Sequence, residues 1–469
     1  MMGSPAPLGA DLEAIVAAAI RAVQPEQLLA DRATELQHLL LPAGRPHPGR
    51  IVVVGAGKGA ARMAKGVETL LSGPAWNGTP VTGLVSVPEG STRSLEQIEV
   101  RATRPAGANL PTPRVVEATR TILAMLAGMG PDDLAIVLIS GGGSALLSAP
   151  RAGVTLEETI AATRFLSAQG ADIGSLNEVR RAACAAKAGG LARACTAGRM
   201  LALVLSDVIG NPLDTIASGP CMPAAANPAA ALAILKTYGA VRARIAPDLV
   251  RLLHNDLAHP APALVAAAGG GPAAIWTTPR GCSVEHIVLG SNATAVDAAA
   301  AEARRLGYDT LLRHALPGIP AADCTVDSIG IRLADEGLRL AAEAARRGRP
   351  LAVIEGGEAT VTLPPDHGVG GRNQQTVLVA VNHIAQQPKW PANLLFASLG
   401  TDGEDGPTDS AGGVADAAIA RELLADRPAL ARGIARCDSL PLLERAGGLI
   451  RTGPTGTNVA DVRILLAGA

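Results

Sequence analysis

The chain has 469 residues, with 41 basic and 42 acidic side chains and a formal net charge of −1. No basic surplus points to nucleic acid or an anionic membrane surface, and three Trp, two Tyr and two Phe leave little to stack on bases. Hydrophobic residues make up 48%, so the core must be built from Ala, Val, Leu and Ile, and the length predicts two or three domains.

Cys184, Cys195, Cys221, Cys282, Cys324 and Cys437 are scattered, and no pair has CxxC spacing. That supports neither a zinc site nor a disulfide framework. The N-terminus lacks a basic-then-apolar leader pattern. No run approaches the roughly 18 uninterrupted apolar residues of a membrane span. A soluble cytoplasmic protein is expected.

Residues 11–41 alternate Ala and Leu with charge at helical spacing and predict one or two surface helices, followed by a loop at 44–49. Ile51-Val52-Val53-Val54 places four β-branched residues in a row, the mark of a strand buried on both faces. Gly55-Ala56-Gly57-Lys58-Gly59 follows, then an Ala-rich helix over 60–71. A strand, a glycine turn and a helix N-terminus make an anion site, because N–H groups and the helix dipole point at the ligand. Gly55 and Gly57 would bring the backbone close to that ligand, and Lys58 adds a full positive charge. Gly55-x-Gly57-x-x-Ala60 also fits the looser dinucleotide fingerprint. Yet Glu89, the nearest acid after the second strand, comes late and behind a proline.

Strands are expected over 81–87 and 98–101, a Pro-rich loop over 104–113 and a helix over 115–126. A buried strand over 134–140 ends in Gly141-Gly142-Gly143-Ser144, which reads equally as a second anion cradle or a tight turn. Helices over 156–168 and 177–197 lead to a strand over 200–205 and then to Ser206-Asp207. An Asp at a strand end can hold Mg²⁺, accept a proton or cap a helix.

The Ala/Pro-rich zone 223–279 holds helices but few strand signals, and a domain change is expected near its end. A strand over 287–290 and a helix to 306 restart the alternation. Strands over 351–354 and 360–363 flank Glu355-Gly356-Gly357-Glu358. In Gly368-Val369-Gly370-Gly371-Arg372-Asn373-Gln374-Gln375 the glycines expose backbone, Arg372 offers a planar fork for carboxylate or phosphate oxygens, and Asn373 and Gln374 add donors. A strand over 393–399 runs into a stretch carrying Asp402, Glu404, Asp405 and Asp409. Mg²⁺ coordination, an acid–base role and a set of Asx-turns all fit. Gly453-Pro454-Thr455-Gly456-Thr457-Asn458 is no Walker loop, but it is rich in donors.

Strand–helix alternation predicts an α/β fold with a parallel sheet covered by helices on both faces. The glycine turns fall at the carboxyl edge, where such sheets bind ligands. One Lys, one Arg, several glycine turns and several Asp residues are the parts that phosphoryl transfer uses.

Taken together the motifs resemble the glycerate 2-kinase family of the MOFRL-containing type. The carrying segments are Val54 to Ala60, Ser140 to Leu147, Ser206-Asp207-Val208 with Ile216 to Pro220, Gly356-Gly357-Glu358 with Gly370 to Gln374, Gly400 to Gly403 with Asp405 to Asp409, and Gly453 to Val459 with Asp461. They run in family order over nearly the whole chain. The resemblance implies a larger N-terminal Rossmann-like domain, here 1–283, and a smaller C-terminal α/β domain, here 284–455, with the tail 456–469 packing back on the first domain and the site in the cleft between them. It implies ATP- and Mg²⁺-dependent phosphorylation of the 2-hydroxyl of D-glycerate by a monomer or homodimer.

By the same resemblance, Lys58 and Arg372 are catalytic and neutralise charge at the phosphoryl group and the substrate carboxylate. Asp207 orients the hydroxyl or holds Mg²⁺, with Asp402 and Asp409 as further metal candidates. Gly55, Gly57, Gly141, Gly142, Gly143, Ser144, Asn373, Gln374, Thr455, Gly456, Thr457 and Asn458 are the expected nucleotide and phosphate contacts. The chain departs from the family pattern at Arg104 to Pro113, at Val179 to Cys184 with Ala186 to Gly190, and at Leu312 to Gly318, where a related hydroxy acid or sugar acid becomes an acceptor candidate. A hydroxypyruvate reductase using NAD(P) and a non-catalytic nucleotide- or sugar-acid-binding protein are the competing readings. The scarcity of His near the motifs weighs against the first of these.

Overall fold

The computed structural model describes residues 8–42, 47–105, 110–223, 226–259, 275–385 and 390–469. Parts of the expected loops at 44–49 and 104–113, and of the zone 223–279, lie outside the described residues.

A seven-stranded sheet organises the first half of the chain. Its strands are β1 (Ile51–Ala56), β2 (Val81–Pro88), β3 (Ile98–Arg104), β4 (Leu134–Ile139), β5 (Arg199–Leu205), β6 (Trp276–Thr277) and β7 (Ser283–Gly290), in the order β3-β2-β1-β4-β5-β7-β6. From β3 to β5 all neighbours are parallel; β6 and β7 form an antiparallel pair. Every residue of β1 and β4 is buried, because both strands have neighbours on both edges and helices pack on the sheet. In the helix Ala60–Leu71 the buried residues Ala60, Met63, Ala64, Val67 and Leu71 recur at the spacing of one helical face.

A second, six-stranded sheet contains β8 (Asp309–Arg313), β9 (Leu351–Gly357), β10 (Leu394–Gly400), β11 (Gly412–Ala415), β12 (Leu449–Ile450) and β13 (Asp461–Ala467), in the order β12-β11-β10-β13-β9-β8. Only β8 and β9 pair in parallel; the other pairings are antiparallel. The helices Val326–Arg347 and Arg372–Ile384 pack on each other over a hydrophobic core that includes Leu333, Val377, Val381, Phe396 and Leu465.

The chain divides into two compact units, and the division departs from the expected 1–283 and 284–455. One unit holds Leu28–Ser206 and Asn211–Leu289; the other holds Asp207–Gly210, Gly290–Ala469 and the N-terminal residues to Gln27. Instead of packing back on the first domain, the tail 456–469 supplies β13, a central strand of the second sheet. The helix Leu8–Ala22 also belongs to the second unit. It buries Leu12, Ile15, Val16 and Ala19, and Tyr308 Oη donates to Asp11 Oδ2 at 2.7 Å.

Three other expectations need correcting. The N-terminal stretch forms three helices, Leu8–Ala22, Pro25–Asp31 and Ala33–Leu40. The helix expected over 177–197 is broken into Ile173–Ala183 and Gly190–Ala194, because Cys184 is extended and Ala188 and Gly189 have φ of 47° and 78°. No strand forms over 360–363; Thr360 makes an isolated bridge to Thr325. Among the described residues no helix is long and apolar enough to cross a membrane, and all six cysteines are free thiols.

Candidate active site

The turn after β1 and the turn after β4 interlock. Lys58 N–H donates to Gly141 O at 2.8 Å, Gly57 N–H to Ser86 O at 3.2 Å, and Ala60 N–H to Gly57 O at 3.2 Å. Gly59 N–H donates to Ser140 Oγ at 3.0 Å. The N–H groups expected to face an anion are therefore bonded within the chain. Gly57 sits at φ 140°, and a Cβ there would lie 2.1 Å from Ser140 Oγ; one on Gly55 would lie 2.3 Å from Leu138 O. These glycines are dictated by close packing of the two turns and do not open the backbone to a phosphate. The Lys58 side chain is half-buried.

In the second expected cradle only the Gly143 N–H is seen bonded to backbone among the described residues. Gly141 accepts from Lys58, and Gly143 N–H donates to Ser140 O at 3.1 Å. Ser144 holds a cation, since Lys187 Nζ donates to its carbonyl at 2.6 Å and to its Oγ at 3.2 Å. Its hydroxyl also bonds Ser218 Oγ at 2.9 Å. Burial lowers the pKa of Lys187; Cys184 opposes that shift and Arg180 adds to it. Lys187 stands on the break between two helices, a position that helical periodicity conceals. The break is fixed by Ala188 N–H to Ser218 O at 3.0 Å and Gly189 N–H to Gly219 O at 2.7 Å. Ala188, Ala217 and Ser218 carry φ of 47°, 50° and 66°, strain that persists only where the surroundings over-determine it.

In the second unit Arg372 opens the helix Arg372–Ile384 rather than lying in a loop. Its Nη2 and Nε donate to Asp461 Oδ1 at 2.9 and 3.3 Å, and its Nη1 to Glu358 Oε1 at 2.8 Å. Burial works against the charge, but Asp461 and Glu358 outweigh it and hold the guanidinium protonated. Asp461 is fully buried, while the Glu358 side chain is 47% exposed.

Asn373 and Gln374, expected at phosphate, point inward. Asn373 Nδ2 donates to Asp405 Oδ1 and Asp461 Oδ1 at 3.2 and 3.1 Å, and its Oδ1 accepts from Ser398 Oγ at 2.6 Å. Gln374 Nε2 donates to Thr408 Oγ1 at 3.0 Å. The backbone N–H groups of both donate to Asp405, at 3.0 and 2.8 Å, so the anion at this helix N-terminus is the protein's own carboxylate. Burial raises the Asp405 pKa to about 6 despite those two bonds, and Asp461 pushes the same way. A Cβ on Gly371 would lie 2.1 Å from Asp405 Cγ, which is why glycine precedes Arg372. Asp405 is one of the four acids that fit a metal or acid–base role from sequence, whereas Asp461 and Glu358 carry no such local signal. The signal for Asp461 and Glu358 is membership of the family motifs.

The donor-rich stretch 453–458 is also turned inward. Thr455 Oγ1 donates to Thr401 O at 2.7 Å and Thr457 Oγ1 to Val23 O at 2.6 Å. Asn458 Oδ1 accepts from Ala460 N–H at 3.1 Å, and Gly456 turns the chain at φ 74°. Asp402 Oδ1 accepts from Glu404 N–H at 3.1 Å, an Asx-turn. Asp409 is 75% exposed and pairs with Arg451 at 3.4 Å.

Among the described residues no three His, Cys, Asp or Glu come together as a metal site. Asp207, Asp402 and Asp409 do not fit a dedicated Mg²⁺ cage. Asp207 adjoins Val208 and Ile209, which line an 830 Å³ cavity together with Gly356, Glu358 and Arg463, a volume suited to a nucleotide-sized ligand.

Residues 11–254 match a family described as a domain of unknown function, DUF4147, and residues 351–461 match the MOFRL family. The chain is 34% identical to mouse glycerate kinase, the alignment covering 96% of this chain and 91% of that protein. It is 32% identical to D-glycerate 2-kinase of Thermotoga maritima, over 88% of this chain and 90% of that one. The crystal structure of a Thermotoga maritima glycerate kinase superposes with a TM-score of 0.77 at 30% identity, covering 99% of this chain and 100% of that one.

Proposed function

The chain belongs to the glycerate 2-kinase family, and we propose that it transfers the γ-phosphoryl group of ATP to the 2-hydroxyl of D-glycerate. The glycerate oxygen attacks the γ-phosphorus, the bond from that phosphorus to the β–γ bridging oxygen breaks, and ADP leaves. The hydroxyl proton passes to Asp207, the carboxylate at the end of β5.

The observation that carries this reading is the clamp on Arg372. Its fork is fixed on one side by the fully buried Asp461 and met on the other by the half-exposed Glu358. Such pre-set cations supply most of the catalysis of phosphoryl transfer, because charge spreads over the phosphoryl oxygens in the transition state. In this reading Asp461 keeps Nε and Nη2, and a phosphoryl oxygen takes Nη1 over from Glu358. In this reading Lys58 is also a catalytic residue. Mg²⁺, when bound to the triphosphate, would neutralise further phosphate charge.

The oxidoreductase alternative is not favoured. Glu89, its candidate for a cofactor ribose, accepts from Arg114 Nη1 at 3.1 Å, and the relatives are kinases by name. We place the enzyme in the cytoplasm, where six free thiols are at home.

The test is ³¹P NMR of the protein with ATP, Mg²⁺ and D-glycerate. A phosphomonoester on the 2-oxygen supports the reading; a 3-phosphate, or no transfer to any hydroxy acid from folded protein, contradicts it.

A further inference from the structure

The first unit holds a cavity of about 330 Å³ lined by Arg104, Ser144, Arg180 and Lys187 and by apolar side chains such as Ile160 and Leu249. Among the described residues, no Asp or Glu lines it. Arg104 is 3% exposed, and its Nε and Nη1 have no hydrogen-bond partner among the described residues. A buried guanidinium with two nitrogens unpartnered is costly, since those donors have lost their water without a replacement acceptor. Folds retain such a group where a ligand restores the missing acceptors.

The chemistry of that ligand follows from the donors. A guanidinium fork matches the two oxygens of a carboxylate. Lys187 commits two bonds to Ser144 and has three donors in all, so it presents a second cation to the same oxyanion. Arg180, held by Asn177 Oδ1 at 3.2 Å, adds a third at the cavity wall. The cavity also adjoins the catalytic lysine: a methyl group placed on Gly142 would lie 3.4 Å from Arg104 Nη2 and 3.7 Å from Lys58 Cγ. In a 2-hydroxy acid the carboxylate is one carbon from the reacting hydroxyl, so an acid seated on Arg104 brings its hydroxyl towards Lys58.

We propose that this cavity seats the carboxylate of the hydroxy-acid acceptor, with Arg104 and Lys187 as its binding residues. The proposal rests on the kinase reading above and adds where the acceptor is recognised. Arg104 opens one of the stretches that depart from the family pattern, which makes it a determinant of which acid is accepted. A phosphate group offers the same oxyanion chemistry, so the experiment must separate the two sources.

Titration calorimetry on the whole chain measures binding of D-glycerate, inorganic phosphate and ADP without turnover, in wild type, Arg104→Met, Arg104→Lys and Lys187→Met. We expect D-glycerate affinity to fall about 100-fold in Arg104→Met and Lys187→Met, with partial retention in Arg104→Lys and ADP affinity within about twofold. Arg104→Met should also melt no lower than wild type, because it removes a buried charge whose Nε and Nη1 lack partners among the described residues. Loss of phosphate or ADP binding with D-glycerate binding intact would overturn the proposal, as would unchanged D-glycerate affinity in both Met variants or no D-glycerate binding in wild type. Failure of the kinase reading looks different: wild type would bind D-glycerate in an Arg104-dependent way and transfer no phosphoryl group.

Discussion

Asp461 Oδ1 lies 2.9 Å from Arg372 Nη2, although 89 residues separate them in the chain. The contact joins the first residue of β13 to the first residue of a helix and sets the direction of the guanidinium. Removing the buried partner should leave a mostly buried cation uncompensated. Asp461→Ala is expected to cost roughly 3–5 kcal/mol of stability, whereas Glu358→Gln, at the exposed end of the same fork, should cost less than about 1 kcal/mol. Urea denaturation of the two variants checks the asymmetry.

The Asp405 carboxyl titrates at about 6 in the folded chain, against 3.8 for an ordinary Asp. The folded state therefore binds the proton more tightly than the unfolded chain does. Its contribution to stability is fully present below about pH 4 and is lost as the pH rises through about 6. The size of that loss is on the order of 3 kcal/mol. In Asp405→Asn the unfolding midpoint should vary less between pH 4 and 6 than in wild type, which denaturant titrations across that range would show.

Gly57 tests whether the first glycine turn serves packing or phosphate. An alanine there meets both a φ of 140° and Ser140 Oγ at 2.1 Å. Gly57→Ala should destabilise the protein by roughly 2–5 kcal/mol, summing strain and overpacking. A fall in melting temperature is the expected readout. A variant that melts normally but has lost ATP affinity would restore the phosphate-cradle role.

Thr457 poses the same question in the second unit. Its hydroxyl is spent on Val23 O, so Thr457→Val should cost roughly 1–3 kcal/mol through the orphaned carbonyl. The KM for ATP should stay within about twofold, as steady-state kinetics can measure.

Asp409 is exposed and paired with Arg451, an arrangement worth little in water. Asp409→Asn should leave both stability and the Mg²⁺ concentration for half-maximal activity unchanged. A shifted Mg²⁺ dependence would return this residue to the metal candidates.

The sequence made the parallel sheet readable where burial is complete. The β-branched run of β1 and the apolar run of β4 can be nothing but inner strands. It concealed β13, because Asp461 and Arg463 stand where an inner strand should be apolar, and their burial makes sense only once Arg372 and Glu355 are seen beside them. Lys58 and Arg372 stood out as isolated charges among glycines. The roles of the glycines, Asn373, Gln374 and the threonines did not, since short polar residues that bind phosphate and those that tie loops together look alike in one dimension. The helical period over 177–197 does not show the break at Ala188, whose φ is 47°, that places Lys187 between two helices.

The central claim is that Lys58 and Arg372 are each required for phosphoryl transfer. Its most direct test is the rate of ADP formation from ATP with saturating D-glycerate, in wild type, Lys58→Ala and Arg372→Ala, each first shown by circular dichroism and thermal melting to be folded. The prediction is D-glycerate-dependent turnover in wild type and a loss in kcat of about 10²–10³ in each variant. Turnover within tenfold of wild type in either folded variant would contradict it.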